Sequence, residues 1–303
     1  MSSRYQAGIV LPGYNPLKVP NAPTIGTATA GISSVSVAFT APADIGGGAI
    51  TGYAVQAIKT SDGSITVTTG ASSPILVTSL ATTAYTFKVW ANNAYGPSPL
   101  SAASNSVTPL VIGGALGGGY FAGQISTAGN GIADYNLVVG PASSATNTLQ
   151  WKIVATATAG TASVIDGPAN SAAMNNVTHP AAQFCEGLTI GGFSDWYMPA
   201  QNELEVCYYN LKPTTQSNNT GSGTNTNAVP SRGSNYTSGT PAQTSATDFQ
   251  TGNAQAYDTG FYWSSTEKSA TAGITQAFNA GTQGAYGGKT NSYNVRAIRR
   301  VAV

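Results

Sequence analysis

Alternation of apolar and small polar residues governs the chain from Ile25 to about Pro109. In SVSVAF, Val35, Val37 and Phe39 fall on one side and Ser34, Ser36 and Ala38 on the other, the period of a half-buried strand. The same pattern returns in ITGYAVQAIK, SITVTTG, PILVTSL and AYTFKVWANN, each run bounded by turn residues. Short strands at this spacing predict an antiparallel sandwich. Ahead of them, residues 1–19 carry Pro12 and Pro16 and show neither helical nor strand periodicity, which predicts an extended arm. Behind them, LVIGGALGGG at 110–119 reads as a glycine-rich linker.

The pattern changes again in the C-terminal half. YFAGQI, YNLVVG and LQWKIVATA read as strands, and two segments acquire a helical period. HPAAQFCEGL puts Ala181, Phe184, Cys185 and Leu188 on one stripe, and the glycines of TIGGF end it. MPAQNELEVCYYNL starts at Pro199, carries Glu203 in its first turns, and buries Leu204, Cys207, Tyr208 and Leu211. Residues 216–260 are rich in Asn, Ser, Thr and Gly, which predicts a long ordered loop region pinned by Tyr236, Phe249 and Tyr257. Strand character resumes at FYWSS and again at YNVRAIRR. The predicted class is mainly β, with an α+β C-terminal half.

Composition narrows the functions. Only 8% of the 303 residues are charged, against roughly 25% in an average soluble domain, and the net charge is +1. No field steers the chain toward nucleic acid or an anionic membrane, and the late arginines alone are too few for a phosphate-tracking groove. No apolar run reaches the length of about 20 residues that a spanning helix needs, so membrane insertion is not expected. The first residues also lack the apolar stretch and cleavage site of a secretory signal. Cys185 and Cys207 are too few for a disulfide framework; two packed thiols are favoured over a bond between the two helices.

Candidate chemistry is sparse. The single histidine, His179, precedes Pro180 at a helix start, and no acid is placed to orient it toward Cys185. Acidic residues are scattered, without the spacing of a calcium loop or of a zinc site. Gly117, Gly119 and Ala122 fit a loose dinucleotide pattern, but the residues after them read as strand and turn, with no helix to receive a phosphate. No catalytic, metal-binding or cofactor-binding residue is assigned, and no enzyme activity is expected.

Two resemblances extend this reading. VPNAPTI, GGGAITGY and LATTAYTFKVWANNAYGPSPLSAAS, within 20–109, resemble a fibronectin type III domain. Leu80 and Tyr85 match that family's tyrosine corner, and Phe39 stands where a Trp is usual. GGYFAGQI, YNLVVGP with Trp151, AAQFCEGLTIGGFSDWYMPAQNEL, GFYWSSTE and YNVRAIRR resemble, in that order, the C-terminal domain of Lcl-type bacterial adhesins. That family is C-type-lectin-like and is also met in phage structural proteins; the resemblance spans 112–303, and the lectin-like domain is placed at 120–303. Ala200 departs from the Ser or Thr that often caps the second helix, a loss of about 1 kcal/mol.

The resemblance implies that YWSS and VRAIRR are strands of one central antiparallel sheet, with 268–293 as exposed strand and loop between them. It makes Trp151, Trp196, Trp263, Arg296 and Arg299 structural anchors, with Asp195 and Glu203 as local partners. Asn279, Thr282, Gln283, Tyr286, Lys289, Asn291 and Tyr293 become candidate receptor contacts. The expected function is that of a bacteriophage virion protein, at a tail fibre or tail tip, presenting a lectin-like head to a host-surface glycan or protein. Assembly in the host cytoplasm, exposure on the particle, a homo-oligomeric state and attachment to other virion proteins through the N-terminal arm go with it. A capsid or neck decoration protein and an exported adhesin are the alternatives.

Overall fold

The computed structural model describes residues 17–303, and the chain is mostly β, with 36% of residues in strands and 11% in helices. It divides into two compact units, 1–111 and 112–303. Of the arm expected at 1–19, residues 1–16 lie outside the described residues. Lys18 is not extended away from the first unit: its N–H donates to Gly46 O at 2.9 Å and its ammonium meets Asp44 at 2.7 Å.

The first unit contains β1 (Thr24–Gly31), β2 (Ser34–Thr40), β3 (Ile50–Lys59), β4 (Ile65–Gly70), β5 (Ile75–Thr78), β6 (Tyr85–Asn93) and β7 (Gly96–Pro97). They form two sheets, ordered β1-β2-β5 and β4-β3-β6-β7. Alternation along β2 and β6 turns Val35, Val37, Phe39, Tyr85, Phe87, Val89 and Ala91 into one core shared by both sheets. Phe39 fills its place by packing on Tyr53, ring centroids 4.8 Å apart. The Tyr85 hydroxyl accepts the N–H of Ala81 at 3.3 Å and thereby fixes the corner before β6.

After β7 the chain follows β6 without forming a regular strand. Ser98, Ser101 and Ser104, three residues apart, donate their N–H groups to Ala91 O, Val89 O and Phe87 O. Their hydroxyls accept the N–H groups of the same three residues, at 3.0 Å each. SPLSAAS therefore closes the edge of β6 with side-chain oxygens in place of carbonyls.

The second unit contains β8 (Ala115–Leu116), β9 (Gly119–Ile125), β10 (Tyr135–Val139), α1 (Ala142–Ala145), β11 (Thr146–Gln150), α2 (Gly167–Ala173), α3 (Pro180–Glu186), α4 (Gln201–Leu211), β12 (Ala228–Val229), β13 (Phe261–Glu267), β14 (Ala272–Ala277), β15 (Gln283–Gly288), β16 (Ser292–Arg296) and β17 (Ile298–Ala302). One sheet runs β12-β9-β10-β17, with β8 paired to β9; the other runs β11-β16-β13-β14-β15.

Several expectations are corrected. Residues 112–119 are not a linker: β8 and β9 form a hairpin whose turn needs left-handed Gly117 and Gly118, at φ +50° and +82°. The strand expected over LQWKIVATA stops at Gln150, because Trp151 turns inward and donates its ring N–H to Ser264 O at 2.9 Å. YNVRAIRR is not one strand of one sheet. It breaks at Ala297, whose N–H donates to Ala145 O and whose carbonyl accepts from Gly140, so that β16 and β17 enter different sheets. The pairing of β16 with β13 is parallel, not antiparallel. Finally, β14 is an interior strand, buried from Gly273 to Ala277 between β13 and β15. Short α2 was not foreseen: its GPANSAA carries no apolar stripe, and Asp166 caps it by accepting the N–H of Ala169.

The start of α4 holds the two most specific motifs together. Ala200 cannot cap by side chain, yet its N–H donates to Glu203 Oε2 at 2.8 Å. The Gln201 N–H donates to the Thr266 hydroxyl at 2.9 Å, and that hydroxyl donates on to Ser163 O. Ser265 N–H donates to Pro199 O at 2.7 Å. A threonine of YWSSTE thus supplies the cap that MPAQNEL lacks. Changing Thr266 to Val is expected to cost the second unit about 1–2 kcal/mol, with Thr266→Ser retaining most of it. Denaturant unfolding followed by tryptophan fluorescence reads this, and an unmoved midpoint would show that the cross-strand cap contributes nothing.

Candidate functional site

The late arginines are bound inside the fold. Arg296 is 1% exposed; its guanidinium donates to Gly140 O at 2.9 Å and Gln255 O at 2.8 Å and lies 4.6 Å from the Tyr257 ring centre. Arg299 makes a two-pronged pair with Asp195 at 2.7 and 2.9 Å, donates to Gly117 O, and covers Phe193. Those hydrogen bonds hold the Asp195 carboxyl below its usual range. Arg300 donates to Glu203 Oε1 at 2.8 Å, and Glu203 is wholly buried with Tyr197 donating to the same oxygen at 2.6 Å. Burial pushes the Glu203 carboxyl up, against the pull of Arg300. Trp151, Trp196 and Trp263 are all buried, each with its ring N–H given to a carbonyl.

A second cluster surrounds His179. Its ring nitrogens lie 3.0 Å from the hydroxyls of Thr158 and Thr178, and its edge meets Trp151. Cys185 and Cys207 are free and buried; burial pushes the first thiol well up and the second to about 12. Neither meets the activated-thiolate requirement of nucleophilic catalysis. Among the described residues no group of three His, Cys, Asp or Glu is arranged to hold a metal ion.

Of the predicted contact residues, Lys289 is corrected. It is fully buried, pairs with Glu267 at 2.7 Å, donates to Thr156 O at 2.9 Å and lies 4.4 Å from the Trp151 ring centre. Its long stem and single charge are used to close the 152–158 loop. Burial alone would raise Glu267, but Lys289 and the donors Thr158 and Thr161 outweigh it and hold the carboxyl low. Gln283 is half-buried and bonded to Gln201 and Gln276 at 2.9 and 2.8 Å, while Asn279 and Thr282 lend their carbonyls to Thr214 and Ala277.

Tyr286, Tyr293 and Asn291 come together at one end of the sheet, and Phe261 joins them. Tyr286 is 55% exposed and lies nearly parallel to Phe261, 23° apart with centroids at 5.8 Å. Phe261 meets Tyr293 at 5.5 Å, and Tyr293 meets buried Trp263 at 4.9 Å. Exposed Asn291 donates to the Tyr293 hydroxyl at 3.4 Å. The ladder depends on two glycines: a Cβ at Gly284 would strike the Tyr286 ring at 2.8 Å, and one at Gly287 the Tyr293 hydroxyl at 2.6 Å. This is the candidate binding face, a rigid aromatic surface whose outer ring is wet. Phe261 was missed because FYWSS reads only as a strand; its alternation with Trp263 places both on one side, which is the signal that could have found it.

The His179 cluster carries a pH dependence. Burial, then the charges of Lys152 and Lys289, lower the imidazole to about 4 from its ordinary 6.5. Between these values the unfolded chain binds a proton that the folded chain does not, so stability falls as pH falls through that window. Against a His179→Gln variant, the intact protein is expected to lose about 2 kcal/mol more between pH 7 and pH 4. Parallel losses in the two proteins, measured by denaturant unfolding, would place the sensitivity elsewhere.

Residues 143–299, a little over half of the chain, match the family model of the Lcl C-terminal domain. No curated protein matches the chain. Among solved structures it is similar to titin kinase with its flanking domains, at 27% identity over 30% of this chain and 17% of that one, with a TM-score of 0.29. A run of domains from titin follows at 28% identity, 30% and 32% coverage and 0.28. A human fourth FNIII domain matches at 23% identity over 36% of this chain and 94% of its own, with 0.29. The chain spans less than a third of the length of the two titin structures, and its structural neighbours are fibronectin type III-like. By its segment 143–299, the chain belongs to the Lcl C-terminal domain family.

Proposed function

We propose that this chain is a virion protein of a tailed bacteriophage, placed at a tail fibre or tail tip, whose second unit attaches the particle to the host surface. The observation that carries the reading is the uncovered aromatic end of the β11-β16-β13-β14-β15 sheet. Tyr286 is held open to solvent on a ladder rooted in buried Trp263, although the same strand neighbourhood buries nearly every other large side chain. An exposed tyrosine already packed on a neighbouring ring offers a partner a large aromatic surface, which suits recognition. Family membership supports the choice of the second unit as the binding part, with a C-type-lectin-like fold as the finer description of that unit.

On this reading the first unit is a fibronectin type III-like spacer, and several copies act together so that weak single contacts add up. The N-terminal arm joins other virion proteins. The reading places the protein on the particle exterior after assembly in the host cytoplasm, without nucleic-acid contact or membrane insertion.

Fluorescently labelled chain, oligomerised for avidity, is expected to bind host cells saturably. Tyr286→Ala is expected to weaken that binding about tenfold, a loss typical of a single anchor residue. Saturable binding that is indifferent to Tyr286 would move the contact elsewhere. Absence of binding by the folded oligomer would favour a decoration role.

A further inference from the structure

The first unit leaves one sheet edge bare. An outermost strand carries backbone groups with no neighbour, and such an edge is a template for another strand unless something covers it. β6 is covered by Ser98, Ser101 and Ser104. β1 is covered by Asn105, whose side-chain oxygen accepts the Ala28 N–H at 2.9 Å and whose amide donates to Ala28 O at 3.0 Å. β5 is only four residues long. β4, the six residues ITVTTG, has no such device: among the described residues its one strand partner is β3.

Alternation identifies the free groups. Lys59 donates its N–H to Ser64 O at 2.9 Å, so further along the antiparallel ladder Thr66, Thr68 and Gly70 exchange hydrogen bonds with Ala57, Val55 and Tyr53. The N–H and C=O groups of Ile65, Val67 and Thr69 therefore point away from β3. Their side chains lie on the outer face of the sheet, where Ile65 is 55% and Val67 50% exposed. Val67 shares an open groove there with Gln56, Trp90 and Leu100.

The partner that fits this edge is the same edge on a second copy. A twofold axis through Val67 sets Val67 opposite its own copy and Ile65 opposite Thr69, so that all three free residues meet free residues and about six backbone hydrogen bonds form. Such pairing also requires that like charges do not face each other. From Gly63 to Phe87 the sequence has no charged residue. The flanking charges do not meet either. Asp62, paired with Lys59 at 2.9 Å, comes opposite neutral Ser72 of the copy. Lys88 lies two strands inward on β6, five strand spacings or roughly 24 Å from its copy, well beyond the screening length of about 8 Å at physiological salt. The remaining charges of the described first unit, Lys18 and Asp44, pair with each other.

We infer that two copies of this chain associate by antiparallel pairing of β4 with β4, which joins their four-stranded sheets into one continuous sheet. The contact belongs to the first unit and does not depend on what the second unit binds. A strand pair of this length covers less than the roughly 800 Å² per partner of a standard interface, so the association is weak and reversible.

Sedimentation velocity of the chain, from micromolar to millimolar concentration, is expected to show monomer and dimer in equilibrium. Val67→Lys and Val67→Glu are each expected to weaken dimerisation about tenfold, because the twofold sets the new charge against itself. An equimolar mixture of the two variants is expected to restore it. Val177→Lys, the same change at an exposed site of the second unit, is expected to leave it unchanged. Hydrogen exchange at the amides of Ile65, Val67 and Thr69 is expected to slow as concentration rises. A chain that stays monomeric throughout overturns the inference. So does a dimer indifferent to both Val67 variants, or a pair of folded, monomeric variants that do not associate on mixing. Slow exchange at these amides that is independent of concentration identifies a cover from the same chain, residues 1–16 included, and also overturns it.

Discussion

A carboxylate that is wholly out of water must be met by donors from several directions, and Glu203 sets that requirement for the second unit. Leaving such a group unpaired would cost several kcal/mol, about the scale of a domain's whole stability. The donors come from places far apart in the chain: the N–H of Ala200 at the helix start, the Tyr197 hydroxyl, and the Arg300 guanidinium on the last strand. Arg300 in turn donates to Ile165 O, which ties the loop before α2 to the same point. Satisfying one acid thus fixes α4 against β17. Thr266, through the N–H of Gln201, fixes the same helix start against β13.

The scarcity of charge becomes intelligible from this centre. Several charged groups of the second unit are used inside it: Glu205 accepts from Arg232, Tyr236 and Asn225, Glu267 holds Lys289, and Lys212 gives its ammonium to Gln216 O, Asn218 Oδ1 and Pro241 O. These ties organise the long Asn- and Ser-rich region, whose aromatic members Tyr236, Phe249 and Tyr257 are buried beside α4.

The sequence was most legible where one period governs one face. Strand alternation located Val35, Val37 and Phe39, and helical spacing located Cys185, Leu204, Cys207 and Leu211, because burial of a single side is all those patterns encode. It was least legible where a residue's role depends on a partner far along the chain. Lys289 reads as an exposed loop lysine until Glu267 and Trp151 are brought over it. The glycines before β9 read as a linker until β8 pairs with that strand, and YNVRAIRR reads as one strand because nothing local marks Ala297 as the point where it changes sheets. The resemblance implied an exposed stretch where β14 is interior; its Thr275 and Gln276 are buried by bonding to Gly284 O and Gly281 O. Of the proposed binding face, Tyr286, Tyr293 and Asn291 are among the contact candidates offered by the sequence, and Phe261 is not.

The most direct test of the claim that the aromatic end is the binding surface is solution NMR of the full chain with isotope-labelled tyrosine rings, titrated with solubilised host envelope. The ring signals of Tyr286 and Tyr293 should shift or broaden saturably while those of Tyr53 and Tyr95, in the first unit, stay in place. Perturbation confined to Tyr95, or the absence of any tyrosine response while the envelope material is demonstrably bound, would contradict it.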